Sequence, residues 1–162
     1  MALTHITLRD FVIVHELALD LSSGFSVLTG ETGAGKSILI DALQLALGAR
    51  AEASVVREGA SRCEVCAEFE PTPRIQTWLE DAGFEASANL LLRRTVDTTG
   101  KSRAWVNGSP ATATQLRELG EQLLDIHGQH AWQSLTRPDA VRGLLDAYAG
   151  TDTRPLKAAW QA

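Results

Sequence analysis

Cysteine is nearly absent from this chain of 162 residues: there are two, Cys63 and Cys66, spaced as C-x-x-C. That spacing raises redox and zinc chemistry. Both readings fail on local pattern. Residues Glu64 to Glu70 alternate like a strand, and positions three apart on a strand point to opposite faces, so the thiols diverge. No second C-x-x-C exists, and His127 and His130 would complete a ligand set only by accident of folding. Structural thiols are the expectation.

A basic excess is also missing. The formal net charge is −5, which argues against a domain that holds nucleic acid simply by being cationic. A local patch stays open, because Arg93, Arg94, Lys101 and Arg103 lie close in sequence. A solvated hairpin of mixed charge fits the same residues. If their segments are strands, the four side chains alternate in direction and do not form one surface. No apolar run approaches membrane-spanning length, and Met1 to His5 lacks the basic and apolar regions of a secretion signal. The expected compartment is the cytoplasm, without a membrane partner.

What is present is decisive. Residues Gly30-Glu31-Thr32-Gly33-Ala34-Gly35-Lys36-Ser37 read G-x-x-x-x-G-K-S, the phosphate-cradling P-loop. Glycines permit backbone angles that a Cβ forbids, so consecutive N–H groups can turn toward an anion. Lys36 supplies a positive charge for the β- and γ-phosphates, and Ser37 a hydroxyl for Mg²⁺. The helix beginning there aims its positive dipole end at the same phosphates, through positions including Ile38. The flanks agree with the motif. Phe25 to Thr29 is a short β-rich run before it, and Ile38 to Leu47 a strong helical run after it. Gly48 stands where a C-terminal capping glycine belongs. The implied ligands are ATP and Mg²⁺.

Along the rest of the chain, Ile6 and Leu8, then Leu17, Leu19 and Leu21, alternate with polar residues and predict strands. Further strands are expected at 64–70, 90–96 and 101–106. Thr72 and Pro73 open a helix whose apolar face is Ile75, Trp78, Leu79 and Ala82, closed by Gly83. A helix around Leu116, Leu119 and Leu123 is expected with Thr114 as its cap. Asp125 to His130 reads as a short strand and loop, Thr136 to Tyr148 as a helix, and Leu156 to Ala162 as the start of another.

Hydrolysis also needs a carboxylate on Mg²⁺, usually on a strand of four apolar residues ending in an acid. Nothing after the P-loop fits. Leu123-Leu124-Asp125 and Leu144-Leu145-Asp146 carry only two apolar residues before the acid. No Asn-Lys-x-Asp guanine-reading motif occurs. The chain reads as part of a machine.

Four stretches carry a family resemblance. They are Leu8 to Ile13, the P-loop with its helix to Leu43, Arg93 through Lys101-Ser102-Arg103 to Gly108, and Asp125 to His130. Together they resemble the N-terminal head segment of the SMC/Rad50-like ABC ATPases. Glu31-Thr32 replaces the Pro-Asn pair of SMC and Rad50 heads and points to the bacterial double-strand-break repair branch. The resemblance implies an α/β P-loop NTPase head of ABC/SMC type, N-terminal lobe, with an antiparallel β subdomain. Residues 1–150 would be the N-terminal half of that head, and 151–162 the start of a coiled-coil helix.

The resemblance also implies roles. Gln129 would be the Q-loop glutamine, reaching Mg²⁺ and the γ-phosphate region and acting with Lys36 in catalysis. Arg57 falls where SMC heads carry an arginine that approaches the nucleotide, a surface arginine being the alternative. Rad50-type heads often place a basic residue after the first-strand phenylalanine. Val12 stands there, so that contact is not carried over, and Arg9 is a weak candidate for touching nucleotide or DNA. The implied partners are the C-terminal half of the same head, a second head in an ATP-dependent dimer, and DNA. Two other readings fit a P-loop: a compact small-molecule kinase, and an adaptor in which ATP only drives dimerisation.

Overall fold

The computed structural model describes residues 2–22, 24–29, 34–124, 126, 141–142, 145–146, 148–149 and 159–160. The chain divides into two compact units, Met1–Leu124 and Asp125–Ala162. In the second, residues 141–142, 145–146, 148 and 159–160 are helical. The remainder of the helices expected from Thr136 and Leu156, and nearly all of Asp125 to His130, lies outside the described residues.

The first unit is built on a six-stranded antiparallel sheet in the order β2-β1-β3-β4-β5-β6. Its strands are β1 (Leu3–Phe11), β2 (Val14–Asp20), β3 (Arg62–Phe69), β4 (Leu90–Asp97), β5 (Ser102–Val106) and β6 (Ser109–Ala111). Three helices accompany them: α1 (Ala34–Ala46), α2 (Pro73–Asp81) and α3 (Ala113–Leu123). Alternation decides the two faces. In β3, Cys63, Val65, Ala67 and Phe69 are buried while Glu64, Cys66 and Glu68 are half-buried. Register carries the buried row across the sheet: Leu8 pairs with Val65, Val65 with Arg94, and Arg94 with Ala104. Helix α1 lies against β1, β3 and β4 with Ile38, Ala42, Leu45 and Ala46 buried, the spacing of one helical face.

The sequence expectations meet three corrections here. Phe25 to Thr29 forms no strand; Phe25 is 106% exposed and Val27 81%. A strand exists by pairing, and the described sheet leaves this run without a neighbour. Thr114 is not the cap of α3. Thr112 is, in a reciprocal capping box with Gln115, because the polar pair three residues apart satisfies two orphan N–H groups at once. The third is β6, which sequence reading missed. It is only three residues long and contains Pro110, which sheets tolerate at an edge.

The cysteines behave as the alternation predicts. Cys63 is buried on the helix-covered face and Cys66 half-buried on the other. Burial pushes both thiols up from their ordinary values, disfavouring the reactive thiolate. Among the described residues, no cluster of His, Cys, Asp or Glu could hold a metal ion.

Candidate functional site

The P-loop motif runs into α1. Gly30, Glu31, Thr32 and Gly33 lie outside the described residues, as does Gln129. Ala34, Gly35, Lys36 and Ser37 form the first turn of α1, where Gly35 and Ser37 are exposed. A Cβ built on Gly35 would meet nothing within 4 Å, so the backbone there faces open space. The first turn holds no acidic residue to repel an anion from the helix's positive end. Ile38 is buried, so its side chain is withheld from any ligand at that turn. Backbone and charge here fit a phosphate group.

The opposite end of α1 is held unusually well. Gly48 has φ +92° and donates to Leu45 O at 3.2 Å, while Ala49 donates to Gln44 O at 3.0 Å. That is the Schellman arrangement, and a left-handed residue is its requirement. Arg94, 2% exposed, donates from Nη1 to the same Leu45 carbonyl at 3.1 Å and from Nη2 to Ser102 Oγ at 3.2 Å. Arg117 donates from Nη2 to Gly48 O at 3.4 Å. Two guanidinium groups therefore face the negative end of the helix dipole. Burial, and then the neighbouring Arg117, draw the Arg94 pKa down. Helix α3 closes on this end: a Cβ on Gly120 would sit 2.9 Å from Leu47 O, and one on Gly48 2.6 Å from Arg117 N. The helix that would grip phosphate is thus fixed at its far end.

Arg57 lies in the loop that precedes β3 and is bonded to the tip of the β1–β2 hairpin. Asp10 (φ +50°) and Val12 (φ +53°) both take left-handed backbone angles. Phe11 between them is fully buried and bridges to Val56. Val12 N donates to Val55 O at 2.8 Å, Arg57 N to Asp10 O at 2.9 Å, and Arg57 Nε to Asp10 Oδ1 at 2.8 Å. Beside them opens a cavity of about 510 Å³ whose charged walls are Arg9, Asp10, Arg57, Arg62, Glu64 and Arg93.

The sequence patch Arg93, Arg94, Lys101 and Arg103 does not form one surface. Arg94 is buried on the helix-covered face. Arg93, on the other, pairs with Glu64 at 2.6 Å and lies 4.7 Å over the Trp105 ring. The cationic group that does assemble, Arg9, Arg57, Arg62 and Arg93, comes from separate segments joined by register. No linear spacing could have revealed it.

The AAA domain family model matches residues 5–128. The chain belongs to the AAA domain family. It is 47% identical to the DNA repair protein RecN of Vibrio cholerae over 150 residues, covering 91% of this chain and 27% of that protein. Identity to RecN of Xylella fastidiosa (strain 9a5c) is 42% over 167 residues, covering 99% and 30%. The chain therefore spans less than a third of the length of these relatives. Among solved structures, it resembles an SMC ATPase chain studied for ATP-driven dimerisation and DNA-stimulated activation. That likeness has a TM-score of 0.66 at 22% identity, covering 89% of this chain and 97% of the other, and it establishes the fold. An α/β ATPase head lobe of the SMC kind, with its antiparallel β subdomain, is the architecture present.

Proposed function

We propose that this chain is the ATP-binding N-terminal half of a RecN-like ATPase head that acts in DNA double-strand-break repair. The observation that carries the reading is the open, acid-free first turn of α1, bearing Gly35, Lys36 and Ser37 on a helix anchored at its far end. Backbone N–H groups from Gly30 to Ile38 would cradle the phosphates, with Lys36 neutralising their charge. Ser37 and Gln129 would hold Mg²⁺, which when bound offsets charge developing on the phosphate oxygens. Arg57 would approach the nucleotide from the hairpin tip.

Turnover requires groups this stretch does not supply. A C-terminal half carrying the Mg²⁺-binding acid and signature motif would complete the head. The exposed side chains of Phe25, Val27 and Leu28 offer it an apolar seat. A second head would then close on the nucleotide. ATP-driven dimerisation of the SMC ATPase relative supports this step. The naming of the RecN relatives as DNA repair proteins supports DNA contact by the complete protein. Residues 1–150 would form the half-head and 151–162 would begin its coil. Arg93, Arg94 and Arg103 lie on β4 and β5, so none sits on the helical lid a small kinase would use.

Calorimetric titration with Mg·ATP tests the site. The chain should bind, and Lys36→Ala should weaken binding at least about tenfold, the scale of one lost charge-assisted contact. Unchanged affinity in that variant, or brisk hydrolysis by residues 1–162 alone, would count against the reading.

A further inference from the structure

The buried Arg94 lacks a counterion. It is 2% exposed, and among the described residues no carboxylate bonds to it or acts on its charge. The C-terminal end of α1, which accepts from Nη1, offers about half a unit of negative charge, and Arg117 draws on the same end. Nη2 donates to Ser102 Oγ at 3.2 Å, and Nε has no hydrogen-bond partner among the described residues. Nε and Nη2 share one edge of the guanidinium fork, so the orphan N–H points the way that Ser102 lies. A buried donor left unmade is costly, and a buried cation more so. Native proteins keep few such groups without a use.

Ser102 and Arg94 line a cavity of about 400 Å³. Its origin lies in the register of the β5–β6 hairpin. Strand β6 pairs with β5 only at Ala104, Trp105 and Val106. Continued pairing would set Thr112 opposite Arg103, but the chain turns there into α3. The start of β5 is left bare, and Ser102 and Arg103 line the same cavity as Thr112 and Ala113. Its walls hold two arginines and no acid. Arg103 is exposed and has no partner among the described residues. The cavity at the hairpin tip differs, because Arg9, Arg57 and Arg93 there are already ion-paired. At α3, the capping box takes up the Thr112 and Gln115 amides. The Ala113 amide stays unused at the helix's positive end, whose first turn holds no acid. Ser102 Oγ accepts from Arg94 and so keeps its own proton to give outward, with the buried cation polarising that O–H.

We propose that this cavity binds a phosphate group, as a site separate from the P-loop. The Ser102 hydroxyl, the Arg103 guanidinium and the Ala113 N–H contact the anion, and Arg94 behind Ser102 supplies buried charge for it to neutralise. Arg94 meets α1 at Leu45, and the helix rise puts roughly 15 Å between that residue and the first turn at Lys36. The site therefore stands independently of the nucleotide reading. Free phosphate and the terminal phosphate of a nucleic-acid strand share this chemistry, and Trp105 and Pro110 offer the second an apolar wall for its sugar or base.

The test titrates inorganic phosphate into the full chain carrying Lys36→Ala, which weakens the P-loop, and follows amide and arginine Nε–H signals by NMR. The Ser102 and Ala113 amides and the Arg94 Nε–H should move together with one Kd of about 1 mM or tighter. Sodium chloride at equal ionic strength should leave them in place. Arg103→Ala should weaken this binding about fivefold or more and Ser102→Ala about threefold or more, the loss of one charge-assisted or polarised hydrogen bond each. Both side chains are exposed, so the sheet amides should stay unmoved in the two variants. A 5′-phosphorylated hexanucleotide and its unphosphorylated twin identify the source. Tighter binding of the phosphorylated strand than of inorganic phosphate, with none by the twin, assigns a strand terminus. Binding of inorganic phosphate with neither strand bound assigns the free anion. No movement at about 10 mM phosphate, equal movement with chloride, or unchanged affinity in both Arg103→Ala and Ser102→Ala would each overturn the proposal.

Discussion

Two stretches of this chain that read as strands in the sequence, Phe25 to Thr29 and Arg62 to Phe69, end differently. The second becomes β3, paired on one side with β1 and on the other with β4, and its Phe69 is fully buried. The first pairs with nothing described, and its Phe25 is 106% exposed. Propensity says what a run can become; a neighbour with free backbone groups decides whether it does. The difference locates where this unit is self-sufficient and where it presents unused apolar surface.

Alanine substitutions should separate the two most sharply. Phe69→Ala removes a fully buried ring from the core and should cost about 3–5 kcal/mol, enough to threaten the fold. Phe25→Ala removes a ring already in water and should shift stability by no more than about 0.5 kcal/mol. Urea unfolding of both variants measures the contrast. A large loss at Phe25 would mean that the run is packed in solution and that the comparison is wrong.

The same contrast explains what the sequence made legible. Strands β1 and β3 to β5 and helices α1 to α3 show their periods because each buries one face within this unit, so pattern and partner coincide. The P-loop was readable because a fixed chemistry needs glycine, lysine and serine at fixed places. The arginine cavity was not readable, because Arg9, Arg57, Arg62 and Arg93 meet only through strand register and a loop bridge. Arg94 was misleading for a related reason. In the sequence it is one more cation beside Arg93, yet the alternation turns it inward to the end of α1. A buried arginine at a helix C-terminus has no linear signature.

The α1–α3 contact is a subtler test of self-sufficiency. Gly120 lets Leu47 O approach to where a Cβ would lie 2.9 Å away, and the obstructing atom is backbone. Gly120→Ala should raise the intrinsic helix propensity of α3 and still destabilise the unit by about 1–3 kcal/mol, because overpacking outweighs the propensity gain. If α1 is the rigid support of the phosphate site, nucleotide affinity should fall in the same variant. Stability lost with affinity intact, in paired unfolding and titration experiments, would uncouple the far end of α1 from its first turn.

The smallest effect belongs to the β4–β5 turn, which is closed chiefly by one of its own side chains. Asp97 Oδ1 accepts from Thr99 N at 2.9 Å, Thr99 Oγ1 at 2.6 Å and Lys101 N at 3.0 Å. The Thr99 hydroxyl bond, ahead of the backbone amides and the Lys101 charge, holds the carboxyl below its ordinary value. Because the folded pKa is the lower one, this contribution is fully present above the unfolded aspartate value. It is lost as pH falls through the folded value. NMR titration should place the Asp97 midpoint below that of a free aspartate, with the Thr99 and Lys101 amide signals moving at the same pH. Asp97→Asn should erase that shared titration and leave the sheet amides unmoved. A normal midpoint would show that the turn is not closed by its own side chain, and that even this hairpin depends on something beyond its own strands.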